Sequence, residues 1–249
     1  LYNLFLMRKG LLLCCHGTKN NKGIKDTIKL LRIFKKRNKN SIVKIGYLEI
    51  AKPTIENQLD FFFKKKFDNL LIVPAMIFSG NHVTKDIPNI LNNLKKNYKT
   101  SPNIFINPPL LKSKKFLNVV QSNIIKSLRM IDRKKDGLIV VASNTINSMA
   151  KVEINYLARK IAKKNNINFY KEILITLNKK NLKKNLKKLN SKYNNFLVLP
   201  LFLFRGNLLE NLSSVIREIN KKEKKNFFLC SHLSDYKKIY NVIDNLIKS

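Results

Sequence analysis

Residues 69–81 read NLLIVPAMIFSGN, a short apolar run rich in branched side chains that ends in Ser-Gly-Asn. A run of that length bounded by turn residues is a strand covered on both faces, the kind that parallel sheets require. It recurs as NFLVLPLFLFRGN over 195–207, with Pro200 in the place of Pro74. A second pair of stretches is similar: FLNVVQSNIIKS (116–127) is echoed by IYNVIDNLIKS (239–249). The chain therefore reads as two copies of one unit, 9–130 and 136–249, joined by the charged link IDRKKDG (131–137).

Working outward, further strand-like runs are GLLLCC (10–15), SIVKIGYL (41–48) and NIFINP (103–108) in the first copy. The second copy has GLIVVAS (137–143), NFYKEILIT (168–176) and NFFLC (226–230), beside NFLVLPLFLF (195–204). Segments of helical period separate them; Ile24, Ile28, Leu31 and Phe34 mark one stripe, and Ile154, Leu157, Ala158 and Ile161 another. Leu182, Leu186 and Leu189 give the lysine-rich 177–192 segment the narrow apolar stripe of a surface helix. Strand alternating with helix predicts the α/β class: two similar three-layer α/β/α domains, each with a mainly parallel four-stranded sheet.

The 249 residues carry 50 Lys and Arg against 15 Asp and Glu, a net charge of +35. That balance favours acidic partners. Lysine is spread along most of the chain together with abundant Asn and Ile, however, the bias of AT-rich coding sequence. No zinc-finger or RNP-like motif accompanies it, so nucleic acid is not the expected partner. Three cysteines, two of them adjacent, point to free thiols and a cytoplasmic setting. The opening LYNLFLMRKGLLLCC has its basic residues on the wrong side for a signal peptide, and no apolar run is long enough to span a membrane. Residues 1–6, before Met7, are set aside as upstream or truncated sequence.

Ligands of open α/β sheets bind beyond the carboxyl ends of the strands. His16 stands at the end of the first strand, Glu49 just after the second and His82 just after the third, so three successive loops offer one metal-capable group each. Two imidazoles and a carboxylate suit Co, Fe, Ni or Zn and leave coordination positions open, whereas Mg or Ca would want more oxygens. Cys14 and Cys15 point to opposite faces of a strand and are read as small buried hydrophobes. Neither GxGxxG nor GxxxxGK[ST] occurs, so dinucleotide-dependent hydride transfer and NTP hydrolysis lose support. His232, after the last strand, is read as a surface or capping residue.

Three motifs carry a family resemblance: LLLCCHGTKNNKG (11–23), GYLEIAKPTIENQL (46–59) and IVPAMIFSGNHVTKDIP (72–88). Together they resemble the class II chelatases, specifically the two-repeat sirohydrochlorin cobaltochelatases of the CbiX type, which are related to the siroheme ferrochelatases. The resemblance implies an active site in the cleft between the halves, with His16 and His82 as catalytic and metal-binding residues and Glu49 as a further ligand. It implies ATP-independent insertion of Co2+, or Fe2+, into sirohydrochlorin, the metal being a substrate and no cofactor being permanently bound. Lys19, Lys22 and Lys85, with Gly80 and Asn81 of the third motif, are the expected contacts to that acidic tetrapyrrole. Asn144 and Leu208 occupy the positions of the two histidines in the second half, which implies one site per chain in a monomer of two fused repeats. A non-catalytic metal or tetrapyrrole carrier and a basic RNA-binding protein are the competing readings.

Overall fold

The computed structural model describes residues 7–133, 135–189, 192–222, 225–233 and 235–248. The reading of residues 1–6 lies outside them. In the first repeat β1 (Lys9–Cys15), β2 (Ile42–Tyr47), β3 (Asn69–Pro74) and β4 (Asn103–Ile106) alternate with α1 (Asn21–Arg37), α2 (Ile55–Lys64), α3 (Ile87–Lys96) and α4 (Phe116–Ile124). The second repeat follows with β5 (Gly137–Ser143), β6 (Phe169–Ile175), β7 (Asn195–Pro200) and β8 (Asn226–Leu229). Its helices are α5 (Ser148–Lys164), α6 (Lys179–Lys187), α7 (Asn207–Lys222) and α8 (Tyr236–Lys248). Each sheet is fully parallel, ordered β2-β1-β3-β4 and β6-β5-β7-β8.

That order follows from burial. β1 is flanked by β2 and β3, and its residues from Gly10 to Cys15 are all buried, with Leu12 and Leu13 fully so. Each such leucine contributes about 1.5–3 kcal/mol on leaving water. Alternation divides the strand: Leu12 and Cys14 join Phe62, Phe67 and Ile72 in the core beneath α2 and α3. In the second sheet Ile139 and Val141 play that part against Leu182, Leu186 and Leu212. The edge strand β4 keeps little buried side chain.

Two expectations are corrected. The runs 69–78 and 195–204 leave the sheet early: after Pro74 and Pro200 a single further bond joins the ladder, Ala75 N–H to the Cys14 carbonyl and Leu201 N–H to the Val141 carbonyl, each 2.8 Å. Proline closes both strands because it has no N–H to continue the ladder. The buried face of α1 is turned from the expected stripe; Gly23, Asp26, Thr27, Leu30 and Phe34 are buried, whereas Ile28 is exposed. Thr27 takes the inward position because its hydroxyl meets that of Tyr47 (2.9 Å) and donates to the Ile24 carbonyl (2.9 Å). The stripes of α5 and α6 are buried as expected.

Compactness cuts across the repeats. One unit comprises Leu1–Phe116 with Asp235–Ser249, the other Leu117–Ser234. Helix α8 thus lies with α1, where Tyr240 stacks edge-on against Phe34 (4.9 Å) and its hydroxyl meets the Asn38 amide. Helix α4 mirrors this in the other unit, where Gln121 exchanges two amide hydrogen bonds (2.6 and 3.1 Å) with Asn165 at the end of α5. Among the described residues no helix is long and apolar enough to cross a membrane.

Candidate metal centre

The order β2-β1-β3 places a topological switch between β1 and β3, since the chain leaves β1 to one side and returns on the other. A crevice opens at the carboxyl end of such a pair. His16 follows β1 there, and His82 follows β3.

Gly17 sets the first approach. Its φ of 104° is closed to most side chains, and a Cβ there would collide with the Glu49 carbonyl oxygen. With that space free, the loops after β1 and β2 continue the ladder: Leu48 N–H donates to the Cys15 carbonyl (2.9 Å) and Glu49 N–H to the His16 carbonyl (3.1 Å). The side chains are thereby set side by side, His16 Nε2 lying 2.9 Å from Glu49 Oε1, both about half exposed. An ionised carboxylate only accepts, so His16 Nε2 carries the proton in this pairing.

His82 opens a π-helical turn, His82–Asp86, that runs into α3; the Ile87 N–H reaches back five residues to the His82 carbonyl. Pro88 accounts for the wider turn, since it offers no N–H to the Thr84 carbonyl and its ring would crowd that group in an α-helix. The turn stacks Asp86 against His82, with Oδ2 2.7 Å from Nδ1. Nδ1–H donates to the carboxylate, which leaves the lone pair on Nε2.

The rings of His16 and His82 meet edge-to-face at 4.8 Å. One ligand atom from each of His16, Glu49 and His82 lies within 4.8 Å of the others. Two ligand atoms held by one ion at about 2.1 Å are at most about 4.2 Å apart, so closing by roughly half an ångström would let all three share a metal.

The remaining expected residues fall around this cluster in different ways. Gly80 and Asn81 lead into the π turn, and the Gly80 carbonyl accepts from the N–H groups of Val83 (3.0 Å) and Thr84 (3.1 Å). Lys85 is exposed on that turn, three residues after His82, and Lys22 is exposed on the first turn of α1. Lys19 is exposed beside a cavity. Cys14 and Cys15 are fully buried, and burial pushes both thiols up from their ordinary range, so they stay protonated and make poor ligands. His232 is half-buried, and at the start of α8 Asp235 accepts the Lys238 N–H (3.2 Å). In the second repeat Asn144 is exposed and Leu208 packs against the core. The sequence reading missed Asp86 as a partner, although the His-x-x-x-Asp spacing at a helix start carried the signal.

The model of the CbiX family matches residues 10–127 and again 137–249. The chain belongs to the CbiX family. It is 21% identical over 239 residues to a sirohydrochlorin ferrochelatase of Priestia megaterium, covering 94% of this chain and 88% of that one. A sirohydrochlorin cobaltochelatase of Saccharolobus solfataricus is 35% identical over 86 residues, 33% of this chain and 62% of the relative, less than two thirds of its length. Among solved structures, SirB from Bacillus subtilis with Fe3+ superposes with a TM-score of 0.76 at 18% identity, covering 97% of this chain and 95% of that one. At that identity the likeness concerns the fold.

Proposed function

We propose that this chain inserts a divalent first-row metal into sirohydrochlorin without ATP, with Co(II) as the physiological ion. The observation that carries this reading is the convergence of His16, Glu49 and His82 within 4.8 Å at the switch point of the first sheet, in a member of the CbiX family. His82 Nε2 and a Glu49 oxygen receive the incoming ion in place of its waters. His16 joins them once its proton has moved from Nε2 to Nδ1 through solvent, because a neutral imidazole offers one lone pair and must turn it toward the ion. Three protein ligands leave positions open for the nitrogens of the macrocycle. As those nitrogens take the metal, the ring gives up two N–H protons, and the separated His16 and Glu49 stand within reach as bases. Asp86 holds the His82 ring in the tautomer that keeps Nε2 free. The work falls to the first repeat, 9–130; the second, 136–249, offers Asn144 and Leu208 where a second site would need histidines.

Iron is the second reading. It is favoured by the relative that matches nearly the whole chain and bears the name of a ferrochelatase, while cobalt is favoured by the higher identity of the cobaltochelatase over a shorter span. An anaerobic absorbance assay with sirohydrochlorin and Co(II) or Fe(II) tests both. Insertion by the wild type and its loss in His16→Ala and His82→Ala is expected; a wild type that inserts neither metal, or variants that match it, would overturn the proposal. The larger kcat/KM names the metal.

A further inference from the structure

A cavity of about 320 Å³ opens beside the candidate metal centre, lined by the loops that follow β1 and β2 and by Ile24 of α1. Its apolar wall is Ile24, Ile50 and Ala51, and Lys19 and Lys52 stand at its rim. The Tyr47 hydroxyl at its floor is held by Thr27 at 2.9 Å. No carboxylate lines the cavity, and neither lysine forms an ion pair among the described residues.

The conformation of Ile50 is the second observation. Its φ is 69°, and the Ala51 N–H reaches back over it to the Glu49 carbonyl at 2.7 Å, which makes Ile50 the centre of a tight γ-turn. That form is rare and strained, and a β-branched residue is a poor occupant of positive φ. The turn nevertheless holds Ile50 with 56% of its surface exposed against the cavity. Backbone strain of this kind costs about 1–3 kcal/mol and persists where the surrounding structure imposes it. Here the imposing contact is the Glu49 carbonyl lodged against Gly17.

An apolar wall, a cationic rim and no acidic lining fit one ligand class, a short alkyl chain ending in a carboxylate. Thr18 is two residues from His16 and Ile50 one from Glu49, so the cavity wall begins within about 7 Å of the metal ligands along the chain. We propose that the cavity is the subsite for one carboxyalkyl arm of the tetrapyrrole, with Lys19 and Lys52 pairing its carboxylate and Ile50 contacting its methylenes and the ring edge. This rests on the chelatase reading above and adds to it the point that fixes the rotation of the macrocycle over the metal ligands.

The test is fluorescence titration of metal-free sirohydrochlorin, and of its methyl ester, against wild type, Lys19→Ala/Lys52→Ala and Ile50→Gly. Glycine adopts positive φ freely, so the last variant folds without strain. The lysine pair's loss weakens sirohydrochlorin binding by about tenfold, as expected for partly exposed charge-assisted bonds. Binding of the ester is weak in the wild type and unchanged by the lysine substitutions, and Ile50→Gly weakens both ligands. Co(II) affinity without tetrapyrrole stays at the wild-type value in the lysine variant. If the wild type inserts metal while the lysine variant binds sirohydrochlorin with wild-type affinity, the subsite is overturned and the chelatase reading stands. A wild type that neither binds sirohydrochlorin nor inserts metal overturns both.

Discussion

Replacing Asp86 with alanine leaves every proposed ligand atom in place and removes only the group that fixes the His82 ring. The bond it breaks is short, 2.7 Å between Nδ1 and Oδ2, and the two side chains are 40% and 43% exposed. Loss of a carboxylate behind a ligating histidine costs 10- to 100-fold in metal affinity, about 1.4–2.7 kcal/mol. Water reaches this pair and weakens it, which puts the expected loss at the lower end, about tenfold. Asp86→Asn keeps an acceptor for Nδ1–H and gives up the charge, so its loss is about threefold. Anaerobic titration with Co(II), followed by the ligand-field bands of the bound ion, measures all three proteins, with His82→Ala as the limit of a missing ligand. Circular dichroism separates a loosened ring from an unfolded turn. Wild-type Co(II) affinity in Asp86→Ala, alongside a clear loss in His82→Ala, would refute the assignment.

Gly17→Ala should lower stability by about 2 kcal/mol in urea denaturation and weaken Co(II) binding with it, because the new Cβ meets the Glu49 carbonyl at a φ reserved for glycine. Unchanged Co(II) affinity would separate the two loops from the site. Tyr240→Ala removes a buried aromatic from the Phe34 contact and should cost about 3 kcal/mol; hydrogen exchange would report the loss in α1, far away in sequence. The thiols make a pH prediction. Burial lifts Cys230 from 9.0 to about 11 and raises Cys14 and Cys15 as well, so the folded chain keeps protons that the unfolded chain releases above pH 9. Stability contributed below pH 9 is therefore lost as pH rises toward 11, which urea midpoints at pH 8 and 10.5 would show. Ellman's reagent should react at pH 8 only after unfolding; fast reaction of the native protein would contradict the burial.

The parts of this fold that were legible in the sequence are those where burial acts on both faces of an element. The β3 and β7 runs share their Asn, a central Leu and the closing Pro and differ elsewhere only among apolar residues, since a strand covered on both sides leaves little other choice. That His16, Glu49 and His82 come together was legible for a related reason: each follows one of three successive strands of one parallel sheet. What escaped was set by neighbours. The inward turn of Thr27 depends on the Tyr47 hydroxyl, from another element, and the apolar pattern of α1 alone favoured a face turned aside from it. The π turn has no composition of its own; it arises from Pro88 acting on a carbonyl four residues back, and with it comes the pairing of Asp86 with His82. The strain at Ile50 is likewise unreadable, because it is imposed by a glycine in a different loop.

The exchange of last helices between the compact units has a consequence for how the chain comes to be folded. Asn38 and Tyr240 are 202 residues apart, yet they touch within one unit. A chain emerging in order can build the first sheet early, but the face of α1 around Phe34 stays uncovered until α8 has been made. Contacts of such long sequence separation slow folding, and an apolar helix face left open for that time invites association with other chains. The second unit has no such wait, since α4 precedes the sheet that it covers. Of the two sheets, the later-made one should therefore settle first and the one that carries His16 and His82 last.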